Sequence, residues 1–252
     1  MLYNSSNEYD TVGGTVMNLL NKVEKIKKDG YRHSEANAET KLCQDIVIEA
    51  VSQSSLNRNV TIDYYNKNAR DFALATNSVE FKSIQNHFID KLPQGASILD
   101  FGCGSGRDTK YFLEQGFQVE AVDGSGELCK IASEYTGIKI KQQFFQELDE
   151  CGKYEGIWAC SSILHLAKPE LKSVLEKMEI SVKSNGIIYT SFKYGNFEGE
   201  RNGRYFTDMT ERTFIDLIKD IKNLMIEEQW VTSDVRPGRG EEKWLNLILR
   251  KK

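Results

Sequence analysis

Residues Ile98 to Phe112 read Ile-Leu-Asp-Phe-Gly-Cys-Gly-Ser-Gly-Arg-Asp-Thr-Lys-Tyr-Phe. An apolar run ends in an acid, glycines follow at alternate positions (Gly102, Gly104, Gly106), and a helical pattern starts at once. The spacing predicts a strand, a tight turn and a helix. Glycine supplies turn dihedrals that a Cβ would penalise, and it lets a flat ligand approach the main chain closely.

The pattern around this corner is a regular alternation. Strands are expected over Ser97 to Phe101, Gln118 to Val122, Ile138 to Gln142, Gly156 to Ser161 and Ile187 to Phe192. Helical runs over Arg107 to Gln115, Glu127 to Tyr135 and Pro169 to Val182 separate them, which implies βαβ units in a doubly wound, mostly parallel α/β sheet. The end differs: a helix over Glu211 to Ile221 precedes two strand-like runs, Leu224 to Thr232 and Lys243 to Leu249, that read as an antiparallel C-terminal hairpin. Trp230 and Trp244 fall in these paired strands and are expected to pack.

Ahead of the alternation, Ile62 to Ala75 reads as one helix and Val79 to Leu92 as another, closed by Pro93 and Gly95. Residues 1–60 form an N-terminal helical extension or lid, with helical spacing in Val16, Leu19, Leu20, Val23 and Ile26 and again in Leu42, Ile46, Val47 and Val51. Ser52 to Asn59 looks like a connector, and residues 61–252 make the main domain.

A net charge of −4 argues against a protein that binds nucleic acid mainly through phosphates. The 5 cysteines are odd in number and widely spaced, supporting neither a disulfide framework nor a zinc site. The polar start and the lack of a long apolar run predict a cytoplasmic protein with no membrane span.

In an open parallel sheet the ligand crevice lies beyond the carboxyl ends of the strands, where the glycine turn is expected. Arg107 stands where a dinucleotide fingerprint needs its third glycine, and no phosphate loop is present. Asp123 ends the second strand, 23 residues after Asp100, at about the spacing of a ribose ligand. A ribose acid without a pyrophosphate loop points to a nucleoside lacking phosphates, and S-adenosylmethionine fits. The other reading of Asp123 is an N-cap for the next helix.

With these residues in place, the chain resembles the class I, seven-stranded, Rossmann-like S-adenosylmethionine-dependent methyltransferases, especially the bacterial tellurite-resistance-type subgroup. The matching pieces are Tyr-Tyr-Asn-Lys-Asn-Ala (64–69), residues 98–108, Val-Asp-Gly-Ser (122–125), residues 156–166, Gly-Arg-Tyr-Phe-Thr-Asp (203–208), residues 234–239 and Lys-Trp-Leu-Asn (243–246). The resemblance implies that Gly102 and Gly104 line the methionine part of the cofactor, that Asp100 orders the turn, and that Asp123 takes the ribose, with Arg107, Gly124 and Ser125 in the same motifs. It implies that Phe145 and Gln146 border the adenine, that Cys160 and Ser161 lie near the methyl group, and that Tyr65 caps the cofactor carboxylate. Glu155 stands where the family usually has Asp, which puts that contact in question.

The implied chemistry is an in-line methyl transfer needing alignment more than a catalytic side chain. If the acceptor must lose a proton, His165 is the candidate catalytic base, against the reading of a structural histidine bonded to a loop carbonyl. Cys103 and Cys160 lack the setting of a covalent nucleophile. Arg201, Arg204, Arg236 and Arg239 could grip an anionic acceptor, or could form salt bridges with Asp208, Asp234, Glu241 and Glu242. A small-molecule acceptor is the expected partner. A nucleic acid or protein acceptor, or a non-catalytic cofactor-binding subunit, is the alternative.

Overall fold

The computed structural model describes residue 53, residues 55–236 and residues 238–252. The two helices expected between Val16 and Val51 lie outside the described residues. Residues 55–67 form helix α1, so most of the segment expected as a connector is helical. The helix expected over Ile62 to Ala75 is divided at Asn68, whose φ of −110° and ψ of 15° are not helical, and α2 (Ala69–Thr76) follows. Asn68 donates its side-chain amide to the Tyr64 carbonyl at 2.7 Å, competing locally with the helical ladder. Helix α3 (Lys82–Ile89) completes the lead-in.

Strand β1 (Ser97–Phe101), α4 (Arg107–Glu114), β2 (Gln118–Asp123), α5 (Gly126–Thr136) and β3 (Lys141–Gln142) come next. They are followed by β4 (Tyr154–Ala159), α6 (Lys168–Ser181) and β5 (Val182–Lys193). A small hairpin of β6 (Glu198–Arg201) and β7 (Arg204–Thr207) precedes α7 (Glu211–Ile218), β8 (Leu224–Ser233) and β9 (Lys243–Lys251). The main sheet has 7 strands in the order β3-β2-β1-β4-β5-β9-β8. β1 to β5 pair in parallel, and β9 runs antiparallel to both β5 and β8, as the sequence pattern predicts.

Two further features depart from the sequence pattern. The third strand shrinks to 2 residues, because the Ile140 N–H is taken by Ser133 Oγ at 3.0 Å instead of by a ladder partner. The β6–β7 hairpin was not foreseen. Its turn, Asn202 (φ 54°) and Gly203 (φ 72°), has the double positive φ of a type I′ hairpin, for which Asn-Gly is the preferred sequence.

Alternation along the strands sorts the core into two layers. Leu99, Phe101, Ile157, Ala159 and Ile188 pack with α6 and α7 residues such as Leu171, Leu175, Met178 and Phe214. Ile98, Trp158, Ile187, Tyr189 and Ile248 face the other way, against Phe88 and Ile89 of α3 and Phe112 of α4. Trp230 packs on this second layer. Glu155, inside β4, accepts from Ser97 N at 2.8 Å and Ser97 Oγ at 2.6 Å and ties β4 to the start of β1. The chain winds outward from β1 to β2 and β3, then returns to lay β4 on the other side of β1. That reversal creates the crevice at the carboxyl ends of β1 and β4 where ligands bind in such sheets. Among the described residues no helix is long and apolar enough to cross a membrane.

Candidate functional site

The turn after β1 is held by strand-end carbonyls: Gly102 N and Cys103 N both donate to Val122 O, at 2.9 and 3.0 Å. Gly102, Gly104 and Gly106 have φ of 86°, 57° and 86°, values that only glycine adopts freely. A Cβ on Gly102 would meet Ser162 Cβ at 2.5 Å, and one on Gly106 would meet Thr136 Cγ2 at 2.8 Å. Gly106 thus lets the start of α4 approach α5 closely. Asp123 ties this turn to the next, with Oδ2 accepting from Gly104 N at 2.9 Å and Oδ1 from Ser125 N at 2.8 Å. Burial raises its carboxyl pKa while these two bonds oppose the rise. Each oxygen still has an acceptor site available.

Around the turn lies a cavity of about 230 Å³, far larger than the water-sized voids that close-packed interiors tolerate. Of the residues singled out from the sequence, Tyr65, Gly102, Gly104, Arg107, Asp123, Gly124, Phe145, Gln146, Cys160, Ser161 and His165 all line it. Asp100 and Ser125 do not, being 2% and 0% exposed. Asp100 accepts from Thr109 Oγ1 at 2.5 Å, and burial followed by the neighbouring Asp108 carboxylate raises its pKa. Ser125 is the helix cap, its Oγ accepting from Leu128 N at 3.2 Å and donating to Asn66 Oδ1 at 2.7 Å. The N-cap reading of Asp123 therefore belongs to Ser125.

Helices α1 and α2 roof the turn. Phe72 would lie 3.1 Å from a Cβ on Gly104, and Ile62 fills the space a side chain at Gly124 would need, 2.5 Å from its Cβ. Gln146 donates Nε2 to Glu170 at 2.8 Å, which orients the amide and leaves Oε1 buried with no partner among the described residues. At the end of β4, Ser161 has a positive φ of 52°, a strained value for a non-glycine residue. Ser162 Oγ donates to Phe101 O at 2.7 Å and clips this corner to β1. Burial raises the Cys103 thiol pKa well above its usual value and that of Cys160 to about 12, so neither is a thiolate nucleophile at neutral pH.

Arg107 faces the cavity but is committed to Asp108, through Nε at 2.7 Å and Nη2 at 2.9 Å, and stacks over Phe81. The arginines of the later loops divide. Arg201 pairs with Asp208, Arg236 with Asp234, and Arg239 with Glu242. Arg204 has no carboxylate partner among the described residues.

Residues 98–186 match the sequence model of the family described as "Methyltransferase domain". An uncharacterized methyltransferase of Staphylococcus carnosus is 26% identical over 163 residues, covering 57% of this chain and 78% of the relative. Residues 98–186 carry a methyltransferase domain. The fold agrees with solved structures. The 1,6-didemethyltoxoflavin-N1-methyltransferase of Burkholderia thailandensis superimposes with a TM-score of 0.60 at 22% identity, over 75% of this chain and 84% of that one. A TehB-like methyltransferase of Corynebacterium glutamicum does so with a TM-score of 0.55 at 20% identity, over 76% and 98%.

Within the methyltransferase domain, His165 is bonded on both ring nitrogens. Nδ1 lies 2.6 Å from the Tyr205 carbonyl, which can only accept, so Nδ1 carries the hydrogen and Nε2 accepts from the Tyr65 hydroxyl at 2.9 Å. Burial is the largest cause of a His165 pKa lowered to about 4, and the positive charges of Arg204 and Arg201 add to it against the Tyr205 bond. The unfolded chain therefore binds a proton at His165 that the folded domain refuses. Its contribution to stability is present above pH 6.5 and is lost as pH falls from 6.5 towards about 4. Denaturant unfolding at pH 7 and pH 5 should show this loss, and His165→Gln should make the wild-type difference smaller. An equal pH dependence in the variant would mean that His165 is not buried neutral.

Asp108, Gln143, Ser191, Lys193 and Asn246 also lie on the cavity wall, with no role expected of them individually from the sequence. Lys193 sits at the end of a strand whose apolar pattern signals packing, and Asn246 was legible only as part of the matching piece 243–246.

Proposed function

We propose that the methyltransferase holds S-adenosylmethionine along the β1–β2 side of the cavity and transfers its methyl group to a small or mid-sized acceptor on the β4 side. Asp123 carries this reading: a carboxylate at a strand end, locked by two backbone amides, with acceptor capacity left for two vicinal hydroxyls. Gly102 and Gly104 leave main chain open to the methionine part. Phe145 and Gln146 border the adenine, and the orphaned Gln146 Oε1 suits an exocyclic amine. Gly124 admits the Ile62 lid, Cys160 and Ser161 flank the methyl, Asp100 and Ser125 brace the turn from behind, and Arg107 faces the cavity, held by Asp108. Tyr65 closes over the cofactor. His165 acts as a positioning residue, because its acceptor nitrogen is already given to Tyr65.

When bound, the cofactor supplies a methyl group on a sulfonium that an acceptor displaces in line. The chain aligns the two partners, and positioning of this kind supplies a large share of the acceleration. The Burkholderia structure, which contains 1,6-didemethyltoxoflavin together with S-adenosylhomocysteine, supports a small acceptor. Calorimetry with S-adenosylmethionine and S-adenosylhomocysteine tests the cofactor, and absence of heat up to ~0.5 mM would reject the site. A screen with labelled cofactor over small molecules, RNA, DNA and protein tests the acceptor. Transfer confined to a macromolecule would overturn that half of the proposal.

A further inference from the structure

Arg204 opens β7, on the β4 side of the cavity. The Tyr205 carbonyl accepts from His165 Nδ1, and Thr207 Oγ1 donates to the Leu166 carbonyl at 2.7 Å, which fixes the hairpin to the turn beyond β4. The residues assigned to ribose and adenine hang instead from β2 and from the segment after β3, across β1 in the strand order. A guanidinium offers five N–H donors. Among the described residues that of Arg204 makes one bond, a 3.3 Å contact from Nη1 to the Tyr65 hydroxyl, and its buried Nε has no partner. It lies 4.3 Å from the Tyr64 ring centroid and 5.2 Å from that of Phe206, so aromatic faces hold its plane while its edge stays uncommitted. Every other arginine of these two loops is already paired with a carboxylate. A cation left this way in a partly desolvated site is unfavourable until an anion arrives.

We propose that the acceptor is an anionic small molecule whose carboxylate or comparable oxyanion pairs with Arg204. The inference rests on the methyl-transfer reading and names the substrate class of that site. Selectivity follows from the same geometry: a neutral analogue would leave the guanidinium edge unsatisfied, so the site rejects it.

The probes are benzoate and benzamide, titrated into the protein saturated with S-adenosylhomocysteine and into the cofactor-free protein. Wild type should prefer benzoate by about tenfold or more. Arg204→Met should abolish that preference, Arg204→Lys should keep part of it, and both should bind S-adenosylhomocysteine within about threefold of wild type. Equal affinity for the two probes would overturn the proposal. So would a variant that loses S-adenosylhomocysteine but keeps 5′-methylthioadenosine, since Arg204 would then serve the carboxylate of the cofactor. If wild type fails to bind S-adenosylhomocysteine, the methyl-transfer reading falls separately, while the cofactor-free titration still measures the anion preference.

Discussion

Asp123→Asn should lower affinity for S-adenosylhomocysteine by about 100-fold, the largest effect on binding expected of a conservative change in this domain. The native carboxylate accepts from Gly104 N and Ser125 N and has room for two ribose hydroxyls. Bonds to a charged group contribute about 1.5–3 kcal/mol each, and every 1.4 kcal/mol is a factor of ten. Asparagine keeps the shape but removes the charge. It also turns one acceptor into a donor, which confronts either the Gly104 or the Ser125 amide. Calorimetry measures the loss, and a thermal melt of the same sample shows whether the domain stays folded. A folded variant binding within about threefold of wild type would remove Asp123 from the ribose site.

The largest effect on stability should come from Asp108→Ala. Asp108 lies between three elements and accepts from Gln85 Nε2 at 2.7 Å, Arg107 Nε at 2.7 Å and Nη2 at 2.9 Å, and Trp158 Nε1 at 2.9 Å. Burial alone would raise its pKa, but the Arg107 guanidinium and the Trp158 and Gln85 donors bring it below the ordinary carboxylate range. Removing it strands a cation and two neutral donors in the second core layer. Breaking a buried pair from one side costs about 3–5 kcal/mol. Denaturant unfolding should therefore show a loss of that size. Asp108→Leu combined with Arg107→Met should recover part of it, because both charges leave together. A loss under about 1 kcal/mol for the single change would show that this network does not hold α3, α4 and β4 together.

The two residues share the corner after β1 and β2 but divide its work. Asp123 turns its remaining acceptor sites to the cavity, while Asp108 gives its acceptor capacity to Gln85, Arg107 and Trp158. The pH dependence expected of His165 has the same origin as the anion preference expected of Arg204. Both groups are shielded from water on the β4 side, where the positive field of Arg204 disfavours a second cation and favours an incoming anion.

Strand and helix periods, the glycine turn and Asp123 were legible in the chain because each depends on neighbours a few residues away, or on a ladder that alternation specifies. The Asn202-Gly203 turn carried an equally local signal for β6–β7, though the strands on either side are short. The helical state of residues 55–61 was hidden by weak apolar spacing, and the roof position of α1 comes from contacts such as Ile62 against Gly124. Asp108 stood inside the motif, yet its role as a junction depends on partners 23 and 50 residues away, which only the folded sheet brings together. The four loop arginines looked alike along the chain. Arg236 and Arg239 meet carboxylates two and three residues away, pairs that local sequence offers, but only the tertiary structure decided that Arg204 meets aromatic faces instead, because its neighbours along the chain do not specify which side chains come within a few ångströms of it.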